Sequence, residues 1–212
     1  MSVAFTILPE LKQYIEREIL PRYVHFDAAH QLDHAETVIK ESLLLATYYP
    51  VDKNMVYAIA AYHDTGLVEG RKTHHLVSGK IVRSDEQLRR FFSEDEIEIM
   101  AQAVEDHRAS CNYAPRSIYG KIVAEADRLI DARTIVCRTI QYTFDHYPGL
   151  DKEGNYQRFC THMKEKYAEG GYLKLWIPES SNARRLKAFQ SLLKDDEKTR
   201  MLFDEVWSEL RG

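Results

Sequence analysis

Apolar side chains recur along the chain mainly at intervals of three and four residues, which is the spacing of one face of an α-helix. Pro9 opens a first predicted helix, which we expect to end before Pro21. Ser93 and Glu96 have the spacing of a capping box for a helix that continues through Val104. Further helices are predicted over residues 31–46, 55–62, 74–91, 115–130, 135–147, 155–168 and 195–210, with another capped at Ser180 or Ser181.

The sequence has no sustained alternation of apolar and polar residues, which is the pattern of a half-buried strand. We therefore predict an all-α fold. Residues 1–147 are expected to form a compact helical core, and residues 148–212 a helical extension packed on that core. The alternative is a single domain over residues 1–212.

Composition and charge narrow the class of protein. An apolar content of 44% and a charged content of 29% are ordinary for a globular chain, and the net charge of −4 argues against a broad nucleic-acid or membrane surface. No uncharged apolar run approaches the ~18 residues of a membrane span. The start of the chain lacks a signal-peptide pattern, and the three cysteines form no CxxC pair, so we expect a cytoplasmic protein with reduced thiols. A homo-oligomer remains an open alternative.

Histidine is unevenly distributed, because seven of the nine histidines fall between positions 25 and 107. His63 and Asp64 directly follow AIAAY, the end of a helix that is apolar nearly all round. A carboxylate there is costly unless a cation or hydrogen bonds compensate it. Asp127 also lies on an apolar stripe, with Val123 four residues before it and Ile130 three after it. Taken alone, each of these residues is better explained by an ordinary structural role.

Three more histidines lie on inward helix faces by their spacing, namely His34, His74 and His107. Five helical segments that each direct a histidine or an aspartate inward indicate a shared site. Imidazole and carboxylate together suit a divalent transition metal, and the absence of cysteine from these positions argues against a thiolate-rich structural zinc site.

The ordered set resembles a known family. The segments AHQLDHAETVIKESLLLA, HDTG and AEADRL are similar to motifs of the HD-domain superfamily of metal-dependent phosphohydrolases. The resemblance implies an HD-type helical bundle in which one metal ion is held by His34, His63, Asp64 and Asp127. It covers a little under half of the chain, and the ordered set is more specific than any one motif.

Two further segments, HHLVSGKIV and VEDHRA, resemble those of HD proteins with five metal-binding segments. This resemblance implies that His74 and His107 hold a second ion and that Asp64 bridges the two. The alternative is a mononuclear site that His74 and His107 merely line. The expected cofactor is one or two divalent ions of Fe, Mn, Co, Ni or Zn, with Mg as a further option.

The reaction implied by the resemblance is hydrolysis of a phosphate ester or anhydride of a small metabolite, with a nucleotide favoured, by metal-activated water. Asp64 is the expected catalytic residue, and no nucleic-acid polymer or membrane partner is expected. Candidate substrate contacts are His30, Arg71, Lys72, Arg128 and Arg133, for each of which a solvated surface charge is the competing interpretation. The alternatives are an HD-type di-iron oxygenase and a non-catalytic nucleotide-binding sensor.

Overall fold

The computed structural model describes residues 6–26, 32–111 and 113–211. Within these ranges the chain is helical and contains no strand, which confirms the all-α prediction. The helices are α1 (Pro9–Tyr14), α2 (Leu32–Leu45), α3 (Lys53–Tyr62), α4 (His74–Ser84), α5 (Glu94–Glu105), α6 (Ile118–Asp127), α7 (Ala132–His146), α8 (Lys152–Lys166), α9 (Asn182–Leu193) and α10 (Asp196–Arg211).

The chain divides into two compact units. The first unit comprises Met1–Arg128 and Trp176–Ser180, and the second comprises Leu129–Leu175 and Ser181–Gly212. Helix α7 therefore groups with the C-terminal helices, although the sequence placed it with the core. The predicted boundary between residues 147 and 148 stays a prediction.

Helix α3 lies at the centre of the first unit, where α2, α5 and α6 pack around it. Its residues from Met55 to Tyr62 are all buried, as expected for a helix that is apolar on every side. The Asp52 side chain caps its start by accepting a hydrogen bond from the N–H of Asn54 at 2.7 Å. Burial of the Ile59 side chain alone contributes about 1.5–3 kcal/mol to the hydrophobic free energy of folding. The end of α3 is thereby held deep inside the unit.

Helix α5 begins at the predicted capping box. The N–H of Ser93 donates to the Glu96 carboxylate at 2.8 Å, and the N–H of Glu96 donates to the Ser93 hydroxyl at 3.4 Å. Ile97, Met100 and Val104 on its inner face are buried. The cap therefore fixes where α5 starts and which face reaches the core.

Helix α4 is shorter than the predicted range of 74–91. The backbone leaves helical geometry at Asp85, whose side chain accepts the N–H of Gln87 at 2.9 Å. The same carboxylate accepts the hydroxyls of Tyr14 and Tyr62 at 2.6 and 2.5 Å. These hydrogen bonds of the Asp85 side chain compete with continuation of the helix, so they determine where α4 ends.

Two other predicted helix limits also change. Helix α6 starts after Ser117, whose hydroxyl accepts the N–H of Gly120 at 3.2 Å, and not at Pro115. Pro21 does not end the first helical region, because it lies in the first turn of a short 3₁₀ helix, Leu20–His25, where no N–H is required. This turn carries Tyr23 into the core.

In the second unit, α7 packs against α8 and α10, and α9 packs against α10. Phe159 and Phe203 are buried with their ring centroids 5.5 Å apart, and Trp207 stacks on Phe203 at 5.8 Å. Packing within the second unit explains these aromatic side chains. None of the helices described is long and apolar enough to cross a membrane.

Candidate metal centre

Six side chains from the first unit converge at the ends of five helices. They are His34 in the first turn of α2, His63 and Asp64 directly after α3, His74 as the first residue of α4, His107 two residues after α5 and Asp127 as the last residue of α6. All six were singled out from the sequence. They form two groups of donor atoms that could each hold a metal ion.

The first donor group consists of His34, His63 and Asp127. Nε2 of His34 lies 3.2 Å from Oδ1 of Asp127 and 3.3 Å from Nε2 of His63. Nε2 of His63 lies 3.8 Å from the same Asp127 oxygen. Three donors from α2, α3 and α6 thus meet around one small volume.

The second donor group consists of Asp64, His74 and His107. Nε2 of His74 and Nε2 of His107 lie 3.2 Å apart. Oδ1 of Asp64 lies 3.3 Å from the first of these nitrogens and 3.4 Å from the second.

The Asp64 carboxylate lies close to both donor groups. Its Oδ2 lies 3.2 Å from Nε2 of His63 and 3.6 Å from Nε2 of His34, whereas its Oδ1 points to the second group. One carboxylate therefore presents a different oxygen to each donor group.

The histidine tautomers can be read from the backbone. Nδ1 of His63, His74 and His107 each lies 2.6–2.8 Å from the carbonyl oxygen three residues earlier in the chain. A carbonyl oxygen only accepts, so each Nδ1 carries the proton, as is usual for metal-binding histidines. If both rings were neutral, His74 and His107 would turn two Nε2 lone pairs toward each other at 3.2 Å, which is repulsive unless a cation or an added proton lies between them. This donor set fits a divalent transition metal.

The electrostatics of the centre also favour a cation. Burial disfavours the charged form of His34, but hydrogen bonds to Asp127 and Asp64 outweigh it and raise its pKa to about 9. Burial likewise opposes ionisation of Asp127, yet the bond with His34 holds the pKa of that carboxyl well below its usual range. In His74, burial and the charge of His107 lower the pKa to about 4. Ionised carboxylates and unprotonated imidazole nitrogens are the forms that bind metals.

Two of the six side chains are partly exposed to solvent. The Asp127 side chain is 22% exposed and that of His74 is 13% exposed, whereas those of His34, His63, Asp64 and His107 are 3% exposed or less. A ligand from solution would approach past the two exposed side chains.

A glycine and a serine allow the loop after Asp64 to pack against α4. The N–H of Gly66 donates to the Ser78 hydroxyl at 2.7 Å. A Cβ at Gly66 would lie 2.0 Å from the His74 carbonyl oxygen and 2.5 Å from the Ser78 nitrogen. Such a close approach requires glycine, and it sets the distance between Asp64 and His74.

Two cations predicted as substrate contacts lie in the loop before α4. Arg71 and Lys72 are exposed, and their backbone carbonyls accept hydrogen bonds from Nδ1 of His74 at 2.8 Å and from Arg108 at 2.5 Å. The Arg71 backbone thus supports a candidate metal ligand directly. Contact of their side chains with a substrate stays a prediction.

The other predicted substrate contacts have different surroundings. Arg128 is buried and donates to the carbonyl of Ala124 at the end of α6. Arg133 lies in the second unit, exposed, and pairs with two glutamates of α10. His30 lies outside the described residues. Roles of these three in substrate binding stay predictions.

Two interactions that support the centre were not predicted from the sequence. The hydroxyl of Tyr23 accepts the N–H of Asp64 at 3.2 Å. Asp106, next to His107, is buried and accepts from the N–H of Arg116 at 2.7 Å and from its guanidinium at 2.8–3.1 Å. Asp106 carried a usable signal, an acid at the end of an apolar helix, whereas the bond from Tyr23 joins residues 41 positions apart.

Comparison with known protein families finds a match over the part of the chain that contains the centre. A model of the HD domain family matches residues 32–131, a range that includes all six converging side chains. The match supports membership of this segment in the HD-domain superfamily.

A curated relative also matches part of the chain. It is a tRNA (cytidine(56)-2'-O)-methyltransferase from Picrophilus torridus, 29% identical over 115 residues. The match covers 49% of this chain and 32% of that protein, so the chain spans about a third of the length of the relative. No solved structure matches the chain.

Proposed function

We propose that this protein is a metal-dependent hydrolase of phosphate esters or anhydrides of a small metabolite, with a nucleotide as the favoured substrate class. The observation that carries the proposal is the position of Asp64, whose two carboxylate oxygens face separate groups of histidine and aspartate donors. This arrangement suits two divalent ions that share one bridging carboxylate. The match to the HD domain supports the same activity, because HD domains are commonly metal-dependent phosphohydrolases.

The residues of the chain have separable roles in this proposal. His34, His63 and Asp127 would hold one ion, His74 and His107 would hold the other, and Asp64 would contribute an oxygen to each. Divalent ions bound by such donors lower the pKa of water and polarise a phosphoryl oxygen.

The residues around the donors decide what reaches them. A substrate would approach past Asp127 and His74, and the side chains of Arg71 and Lys72, which precede His74 by three and two residues, would neutralise its phosphoryl oxygens. The donors His34, His63, Asp64 and His107 are buried, so little bulk water would surround the ions.

The curated relative does not lead us to propose methyl transfer. The activity in its name belongs to a protein about three times as long as the matched part, since the match covers 32% of it. The six donor side chains suit metal ions by their chemistry. They give no reason to propose a site for a methyl donor.

The test combines metal analysis with an assay. The chain, purified without added metal, is examined by elemental analysis, and phosphate release is measured on nucleoside phosphates, dinucleoside polyphosphates and sugar phosphates. We expect bound Fe, Mn, Co, Ni or Zn, activity that disappears on chelation and returns with metal, and no activity in His63→Ala. Full phosphate release after thorough removal of metal would contradict the proposal.

The same assay separates the alternatives. Turnover that requires iron and oxygen and releases no phosphate would favour an oxygenase. Nucleotide binding with full metal occupancy and no turnover on the whole panel would favour a sensor.

A further inference from the structure

Tyr23 lies against the backbone of Asp64 from a part of the chain that precedes the matched HD segment. It belongs to the short helical turn Leu20–His25, and its side chain is fully buried. Its hydroxyl donates to the Ala61 carbonyl at 2.9 Å and accepts from the Asp64 N–H at 3.2 Å. Both the donor and an acceptor position of the phenol are therefore used.

These bonds come where α3 ends. In a continuing helix the Asp64 N–H would donate to the carbonyl of Ala60, four residues earlier. That carbonyl instead accepts from Nδ1 of His63 at 2.7 Å. The phenol of Tyr23 supplies the buried Asp64 N–H with an acceptor, and it ties this residue to the last turn of α3 through Ala61.

We infer that Tyr23 is a positioning residue that sets the direction of the Asp64 carboxylate between the two donor groups. The inference rests on the proposed function, in which Asp64 bridges two ions. The orientation of the Asp64 side chain is tightly constrained, because its two oxygens lie 3.2–3.6 Å from histidine nitrogens of the two different groups. A backbone that rotates at Asp64 would lose one side or the other.

Loss of the Tyr23 hydroxyl should weaken the coordination that depends on Asp64. Without the phenolic hydroxyl, the buried Asp64 N–H has to find another acceptor, and the peptide rotates. Loss of a group that orients a metal ligand typically lowers metal affinity about 10–100-fold. We expect this loss for the second group, because it relies on Asp64 for its carboxylate, whereas the first group keeps Asp127.

Tyr23→Phe tests the inference, since it removes the hydroxyl and keeps the ring. Tyr57→Phe is the matched control, because Tyr57 is a buried tyrosine of α3 nearly two turns before His63. The full chain, stripped of metal by chelation, is titrated with Co²⁺, and the visible absorption spectrum reports binding and ligand geometry. Circular dichroism and thermal melting are recorded for each protein.

For Tyr23→Phe we expect one Co²⁺ to bind as in the wild type, the second to bind about 10–100-fold more weakly, and the spectrum of the doubly loaded protein to change. Tyr57→Phe should reproduce the wild-type titration and spectrum. Equal loss in both variants would mean that any buried hydroxyl matters only for folding, and an unchanged titration of Tyr23→Phe would likewise overturn the inference.

Two further results keep the test decisive. In the wild type, the amide of Asp64 should exchange its hydrogen slowly with solvent, because its acceptor is a buried phenol, and rapid exchange would contradict the bond itself. A wild-type chain that takes up no Co²⁺ would overturn the proposed function together with this inference. Normal wild-type loading with an unaffected Tyr23→Phe would overturn this inference alone.

Discussion

The two donor groups differ in how the chain builds them. The first draws His34, His63 and Asp127 from within or at the end of three helices of the core, and Asp64 adds an oxygen. The second has His74 and His107 with the other Asp64 oxygen, and His74 follows an exposed loop. The first group thus offers four protein donors and the second three. More donors mean tighter binding, whereas fewer leave a position for substrate or water.

The largest expected effect comes from Asp64→Ala, because this change removes a donor from both groups at once. We predict that phosphate release falls to the level of the metal-free protein and that the chain retains neither ion after gel filtration. Elemental analysis and the phosphate assay measure this, with circular dichroism as the control for folding. Retention of both ions would show that Asp64 does not bridge the groups.

The next test separates the groups. His34→Ala should release the ion of the first group, and His74→Ala the ion of the second, so that each variant retains one ion per chain. Because the first group has more donors, the ion that remains in His74→Ala should resist chelation for longer than the ion that remains in His34→Ala. Equal resistance in the two variants would remove the asymmetry between the groups.

The pH dependence of metal binding sharpens the contrast between His34 and His74. The pKa of His34 is raised from 6.5 to about 9, so a metal ion has to displace its proton and affinity should rise up to about tenfold per pH unit below about pH 9. His74, with its pKa lowered to about 4, is already unprotonated there. Competition titrations between pH 6 and 9 should therefore show a smaller slope for His34→Gln than for His74→Gln.

The raised pKa of His34 also makes the folding stability of the metal-free protein depend on pH. A raised histidine pKa contributes stability that is fully present below about pH 6.5 and is lost as the pH rises through about 9. The metal-free wild type should therefore lose more unfolding free energy over this range than metal-free His34→Gln. Identical pH profiles by denaturant titration would contradict the ion pair of His34 with Asp127.

The smallest expected effect concerns the spacing of the second group. In Gly66→Ala the new methyl group would meet the His74 carbonyl, so α4 has to shift, at about 1–3 kcal/mol of unfolding free energy. The second ion should bind more weakly and the first unchanged. Gly149→Ala is the control, because a Cβ at Gly149 has no described atom within 4 Å. Equal stability of the two variants would show that this close approach does not set the position of His74.

The sequence predicted the donor set better than the helix limits. His63, Asp64 and Asp127 are conspicuous because ionisable residues on apolar helix stripes need compensation. The end of α4 at Ser84 was not visible in the same way, since it depends on hydroxyls of Tyr14 and Tyr62 that reach Asp85 from distant positions. Periodicity shows which face of a helix is buried but carries little information about side-chain bonds that stop it.

The amino-acid sequence by itself determined an all-α chain, the helices that surround α3, and six residues with the chemistry of metal ligands. These properties follow from local periodicity and from the cost of burying charge, both of which are visible in short segments. The resemblance left a site for one ion and a site for two ions as alternatives. Only the tertiary structure gives the distances that divide the six side chains into two donor groups, turn one oxygen of Asp64 toward each group, and bring the Tyr23 hydroxyl to the Asp64 backbone. These depend on distances of about 3 Å between residues far apart in the chain, which packing sets and sequence spacing does not.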